Sequence, residues 1–248
     1  MQIELTEKPK NPILIEGFPG LGLVGTITTE FLIDHLKAKR IGRIFSDNIS
    51  PMVAVHDSKV VEPLGIFYDE KTNIVILHAL INVNGLEWKI ADAIEQLAKE
   101  LKVKEIISIE GVGGMSDTSA AMIIGQEDHT QEEIKAYHFS DDTKKWEKAG
   151  SIQLKEGIVL GVTGALLLNL KEFPLSCVFA QTYSKLPDSR AAAKIVEILD
   201  NYLSLKIDYK PLLKKAEEFE TKVKKLLEQG QKTVDLKAKK EEDLNYLG

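Results

Sequence analysis

Short apolar runs alternate along this chain with segments whose apolar residues recur at helical spacing, and that alternation narrows the fold more than any other feature. Residues 12–18, PILIEGF, read as a buried strand, and residues 26–38 follow with Ile27, Phe31 and Leu36 at roughly helical spacing. Thr26, Ile27, Thr28 and Thr29 are poor helix formers, so packing on a sheet must hold that helix. Residues 41–46, IGRIFS, give a short second strand. Residues 86–101 form an amphipathic helix, with Trp88, Ala91, Ile94 (or Glu95), Leu97, Ala98 and Leu101 marking its buried face. Further strands are expected at 104–114, 134–139, 157–162 and 176–182. A strong helix at 189–205 opens with an N-cap at Asp188 or Ser189. Strands and helices in this order predict an α/β fold, a mixed sheet flanked by helices.

One stretch departs from the alternation. Residues 51–63 and 65–80 read as strands with no helix-sized segment between them. The second is broken by the turn signal Asp69-Glu70-Lys71-Thr72-Asn73, so up to three antiparallel strands are expected. The distal part also differs. Leu212, Ala216, Phe219, Val223 and Leu226 recur at alternating four- and three-residue steps on a Lys/Glu-rich segment, a stripe that suits its own domain or a second subunit. Residues 230–248 hold too little apolar surface to fold alone. The expected organisation is a core domain at 1–208, an amphipathic helix at 209–229 and a flexible charged tail at 230–248.

A chain of 248 residues with 44% hydrophobic and 28% charged residues suits a soluble globular protein. Its net charge of −6 is uneven: residues 205–248 hold 11 lysines and 9 acids, about +2, which leaves about −8 on the body. An acidic body argues against general nucleic-acid binding. No apolar run is long enough to span a bilayer, the start MQIELTEKPK has no secretory pattern, and Cys177 has no partner for an intrachain disulfide. A cytoplasmic protein is expected, with Cys177 a buried thiol.

The segment GFPGLGLVG, residues 17–25, raises the possibility of a cofactor. Gly20, Gly22 and Gly25 have dinucleotide-turn spacing, and Asp47 near the second strand is placed to meet a ribose. Against this, Pro19 makes a turn without any ligand, and Leu21, Leu23 and Val24 surround the glycines with apolar side chains. The strands at 51–80 also replace the helix that would complete a nucleotide-binding half. A structural turn is the expected reading, with a nucleotide- or phosphate-binding enzyme as the alternative. The glycine turns at 110–114 and 161–164 follow expected strands and are placed to ring a crevice with Gly20. None offers a nucleophile with an adjacent base; Ser116 and Asp117 read as a cap, and Asp128-His129 as a solvated pair. His35, His56, His78, His129 and His138 are scattered without metal-ligand spacing. No catalytic residue, cofactor or metal is assigned.

Three stretches, IEGFPGLGLVGTITTEFLI, GVTGALL and LPDSRAAAKIVEILDNYLSLKIDYKPLLKKAEEFE, together resemble the proteasome assembly chaperone family in its archaeal form, over most of residues 12–228. The resemblance implies a phosphorylase/hydrolase-like core without that fold's catalytic residues. It also implies self-association and an ATP-independent role as a proteasome assembly factor or activator. Some relatives have been labelled ATP-grasp-like, but the lysine-and-carboxylate clamp of such enzymes is not recognisable here. Members, or their partners, dock on the proteasome α-ring through a hydrophobic-Tyr-any tail. The matching segment here is Leu244-Asn245-Tyr246-Leu247-Gly248, with Tyr246 one position too far from the end. Several such tails on one oligomer would add avidity.

Overall fold

The computed structural model describes residues 1–49, 54–56, 59–113, 134–182 and 186–214. Its centre is strand β2 (Ile13–Gly17), where Leu14 and Ile15 are fully buried. β2 pairs in parallel with β7 (Ile74–Ala79) on one side and β8 (Glu105–Gly113) on the other, and β8 pairs in parallel with β11 (Leu175–Thr182). Strands covered on both faces lose the polar alternation of a half-buried sheet, which is why these four read as nearly continuous apolar runs.

Antiparallel strands extend both edges. β6 (Leu64–Asp69), β3 (Lys39–Phe45) and β1 (Gln2–Leu5) lie outward from β7. β9 (Ala136–Phe139) pairs with β11, and β10 (Ile152–Gln153) lies beyond it. The nine-stranded order is β1-β3-β6-β7-β2-β8-β11-β9-β10, a mixed sheet as expected.

Helices cover both faces. α2 (Glu87–Leu101) and α4 (Gly161–Asn169) close a core containing Leu14, Leu77, Ile94 and Ile106. α1 (Val24–Leu36), α3 (Thr143–Ala149) and α5 (Ser189–Leu203) close the other, around Ile15, Ile107, Trp146 and Val196. Asp188 caps α5 by accepting hydrogen bonds from the Arg190 and Ala191 amides, one of the two expected caps. Leu212 is buried in this second core. Ala216, Phe219, Val223, Leu226 and the tail lie outside the described residues.

Several expectations need correction. Among its described residues the stretch at 51–80 holds four strands, because β4 (Ala54–His56) and β5 (Lys59–Val61) pair as a separate hairpin before β6 and β7. The turn signal between β6 and β7 is realised: Asp69 Oδ2 accepts from both the Thr72 amide and its hydroxyl. The strand expected at 157–162 is absent. Gly161, at φ 66°, instead opens α4, and Leu160 before it is exposed. β11, the strand that follows this run, already has β8 and β9 on its two edges and leaves it no place alongside. Trp88 is 56% exposed; Ile90 takes its place in the buried stripe, because Trp88 lies two residues earlier and so well around the helix. Helix α3 carries only Trp146 and Ala149 as buried residues, too little periodicity to identify a helix.

Candidate functional site

The glycine turn joins β2 to α1 at the carboxyl end of the parallel strands, where α/β folds place ligands. Three of its four glycines, Gly17, Gly22 and Gly25, are used up in packing. A Cβ on Gly17 would run into the Gly25 carbonyl, and one on Gly25 would stand 2.7 Å from the Ile109 carbonyl oxygen. Gly22, at φ 65°, sits against Thr182 and Asp188, and its carbonyl accepts from the Asp188 amide at 2.8 Å. This close approach seats α1 on the sheet and ties the turn to the start of α5. Asp47 is far from any ribose position: it follows β3, which β6 and β7 separate from β2.

Gly20 alone has room, and what faces it is a carboxylate. Glu110 Oε1 stands 3.6 Å from where a Cβ on Gly20 would be and 3.8 Å from the equivalent point on Gly161. The three glycine turns thus converge, as expected, and Glu110 places its carboxyl group where a phosphate would have to sit. A cleft of about 60 Å³ opens here, lined among others by Phe18, Asn84, Glu87, Glu110 and Thr163.

Below the cleft lies a polar run that crosses the sheet. Glu16 on β2 is paired in register with Ser108 on β8 and is 1% exposed. The Ser108 and Thr163 hydroxyls are 2.8 Å apart, with Glu16 beside Ser108 in register and Glu110 beside Thr163 in the cleft wall. Burial pushes Glu16 up to about 8, opposed by Ser108 and reinforced by the Glu110 charge. Burial pushes Glu110 up to about 7, opposed by Thr163. Glu16 Oε1 and Glu110 Oε2 have no hydrogen-bond partner among the described residues.

The other candidate residues are dispersed. His78 Nδ1 lies 2.8 Å from the Thr29 hydroxyl, and burial pushes it down to about 4. His138 Nδ1 pairs with Ser151 at 2.9 Å, and His35 stacks on Phe31. Burial and the charges of Glu16 and Glu110 push the Cys177 thiol up, which opposes thiolate formation. Among the described residues no group of three or more His, Cys, Asp or Glu side chains is placed to hold a metal ion. Ser116, Asp117, Asp128, His129 and the His56 side chain lie outside the described residues. The sequence reading missed Glu16, although a lone acid within an otherwise apolar central strand is itself a signal.

The sequence profile of the PAC2 family matches residues 14–227. The chain belongs to the PAC2 family. Among solved structures, it is similar to Pyrococcus furiosus PbaA, an archaeal homolog of proteasome-assembly chaperone, with TM-score 0.77 and 28% identity over 98% of each chain. It shares its fold with Pyrococcus furiosus PbaB, an archaeal proteasome activator, at TM-score 0.74 and 23% identity, covering 91% of this chain and 98% of that one. Among curated sequences, the protein MJ0106 of Methanocaldococcus jannaschii is 28% identical over 96% of each chain. This PAC2 fold is therefore the one carried by proteasome-assembly chaperone and activator homologues. Among the described residues no helix is long and apolar enough to cross a membrane.

Proposed function

We propose that this PAC2 protein is a non-enzymatic assembly chaperone or activator of the proteasome, cytoplasmic, self-associating and docking on proteasome α-subunits. The observation that carries the reading is the similarity to PbaA over 98% of both chains. The site geometry supports it. The glycine turn is filled by its own backbone, by β8 and by Thr182 and Asp188, and Glu110 faces the one glycine with space, which disfavours a nucleotide phosphate there. The core at 1–208 acts as the scaffold, the helix at 209–229 supplies a subunit or partner face, and the tail at 230–248 carries the docking contacts through Leu244, Tyr246, Leu247 and Gly248. A short tethered peptide of this kind suits a pocket between subunits, with the Tyr packed at the rim.

The decisive experiment is deletion of residues 243–248, followed by native mass spectrometry of the protein alone and mixed with α-subunits. Loss of α-subunit association with an unchanged oligomer supports the reading. Equal association by truncated and intact chains refutes the tail's role. A large thermal shift with ATP or NAD would favour the enzyme alternative, since ligand at 100 times its dissociation constant adds about 2.7 kcal/mol.

A further inference from the structure

A second cleft-level feature lies above Glu110, apart from the glycine packing. Glu87 and Glu110 line it and Glu16 lies buried beneath, joined through Ser108 and Thr163, while none of its described lining residues is a Lys or Arg. Opposing this negative charge are the N-termini of α2 and α4, each equivalent to roughly half a positive charge. Burial keeps Glu16 largely and Glu110 partly protonated near neutral pH, so a cation entering beside Glu110 gains by drawing out its ionised form. Glu16 Oε1 and Glu110 Oε2 are orphaned acceptors in low-dielectric surroundings, an arrangement that is costly unless a donor arrives.

The walls narrow the class of cation. The absence, among the described residues, of a three-ligand His/Cys/Asp/Glu group disfavours a bare metal ion. Phe18, Val83 and Val162 contribute apolar wall, a surface suited to an alkyl stem behind a charged head. A cleft of about 60 Å³ holds about four water-sized groups, the size of an ammonium with a short methylene chain. We propose that this cleft binds a primary ammonium group on a short aliphatic stem, with Glu110 as its anionic partner, Glu87 at the rim, and the Glu16–Ser108–Thr163 run releasing a proton as the ligand enters. A free amine and a lysine side chain present the same chemistry.

The test is isothermal titration of the full chain with butylammonium chloride, with an acetyl-lysine amide and with magnesium and calcium chlorides in parallel, in two buffers of different ionisation enthalpy. The expected result is saturable amine binding whose heat depends on the buffer, as proton release requires. Glu110→Gln should weaken it by about tenfold or more, and Asn84→Asp, at an exposed position on the rim, should tighten it. Binding of butylammonium alone supports a small-molecule ligand, and binding of the lysine amide alone supports capture of a partner's lysine. No saturable binding by either amine overturns the proposal. So does equal affinity in Glu110→Gln, or a divalent ion that displaces the amine and binds more tightly. The Asn84→Asp arm keeps the test decisive if Glu110→Gln does not fold.

Discussion

The indole of Trp146 lies flat on the phenol ring of Tyr202, centroids 3.7 Å apart and planes inclined by 9°. Both rings hold one carboxylate in place. Tyr202 donates to Glu105 at 3.0 Å, and Trp146 Nε1 donates at 3.1 Å to Ser176, whose hydroxyl donates to Glu105 at 2.5 Å. Tyr202→Phe removes a hydrogen bond to a charged group and is expected to cost about 1.5–3 kcal/mol. Trp146→Ala leaves a cavity in the α3–α5 core and is expected to cost about 3–5 kcal/mol. Trp88→Ala, at an exposed site, should stay within about 0.5 kcal/mol. Thermal denaturation of the three variants checks the order.

The glycines of the turn are expected to respond unequally. Gly25→Ala forces a Cβ within 2.7 Å of one carbonyl oxygen and 2.9 Å of another, so it should separate α1 from the sheet and destabilise strongly. Gly20→Ala meets nothing closer than 3.6 Å and should change stability by less than about 1 kcal/mol. Urea denaturation of the two variants checks this contrast. Similar losses at both positions would contradict the assignment of the turn to packing.

Stability should fall as pH rises from 6.5 to 8. Glu16 and Glu110 titrate near 8 and 7 when folded, against 4.5 unfolded, so the native state binds extra protons in that range. Their contribution is complete below 4.5 and lost as pH rises through the folded values. His78 acts in the opposite sense, with its contribution complete above 6.5 and lost as pH falls toward 4, so the two effects compete only in the acidic half. Glu16→Gln should flatten the decline above 6.5 and match or exceed the wild-type melting temperature at pH 8.5. Melting temperatures of both chains across the range test this, and an unchanged slope would show that Glu16 does not carry the proton.

Asp188 serves two elements at once. Besides capping α5, its Oδ2 accepts from the Thr182 hydroxyl at the end of β11 at 2.7 Å. Asp188→Ala is expected to cost about 1–2 kcal/mol. Hydrogen exchange should show the loss concentrated in the first turn of α5 and the end of β11.

Much of the architecture was legible because it is local. The buried runs of β2, β8 and β11 and the stripe of α2 each record, in a few neighbouring residues, which faces meet a core. Where the record was sparse, as in α3 with one large buried side chain, the element was invisible. Where two readings share one pattern, as at 157–162, the choice fell to whether the neighbouring strand β11 had an open side. The sequence by itself determined an α/β chain with a glycine turn after its first central strand and an acid, Glu16, inside that strand. Only tertiary structure decided that Glu16, Ser108, Thr163 and Glu110, far apart in the chain, meet in one buried polar run. Strand order sets which side chains become neighbours across a sheet, and strand order is fixed by long-range packing that no local pattern encodes.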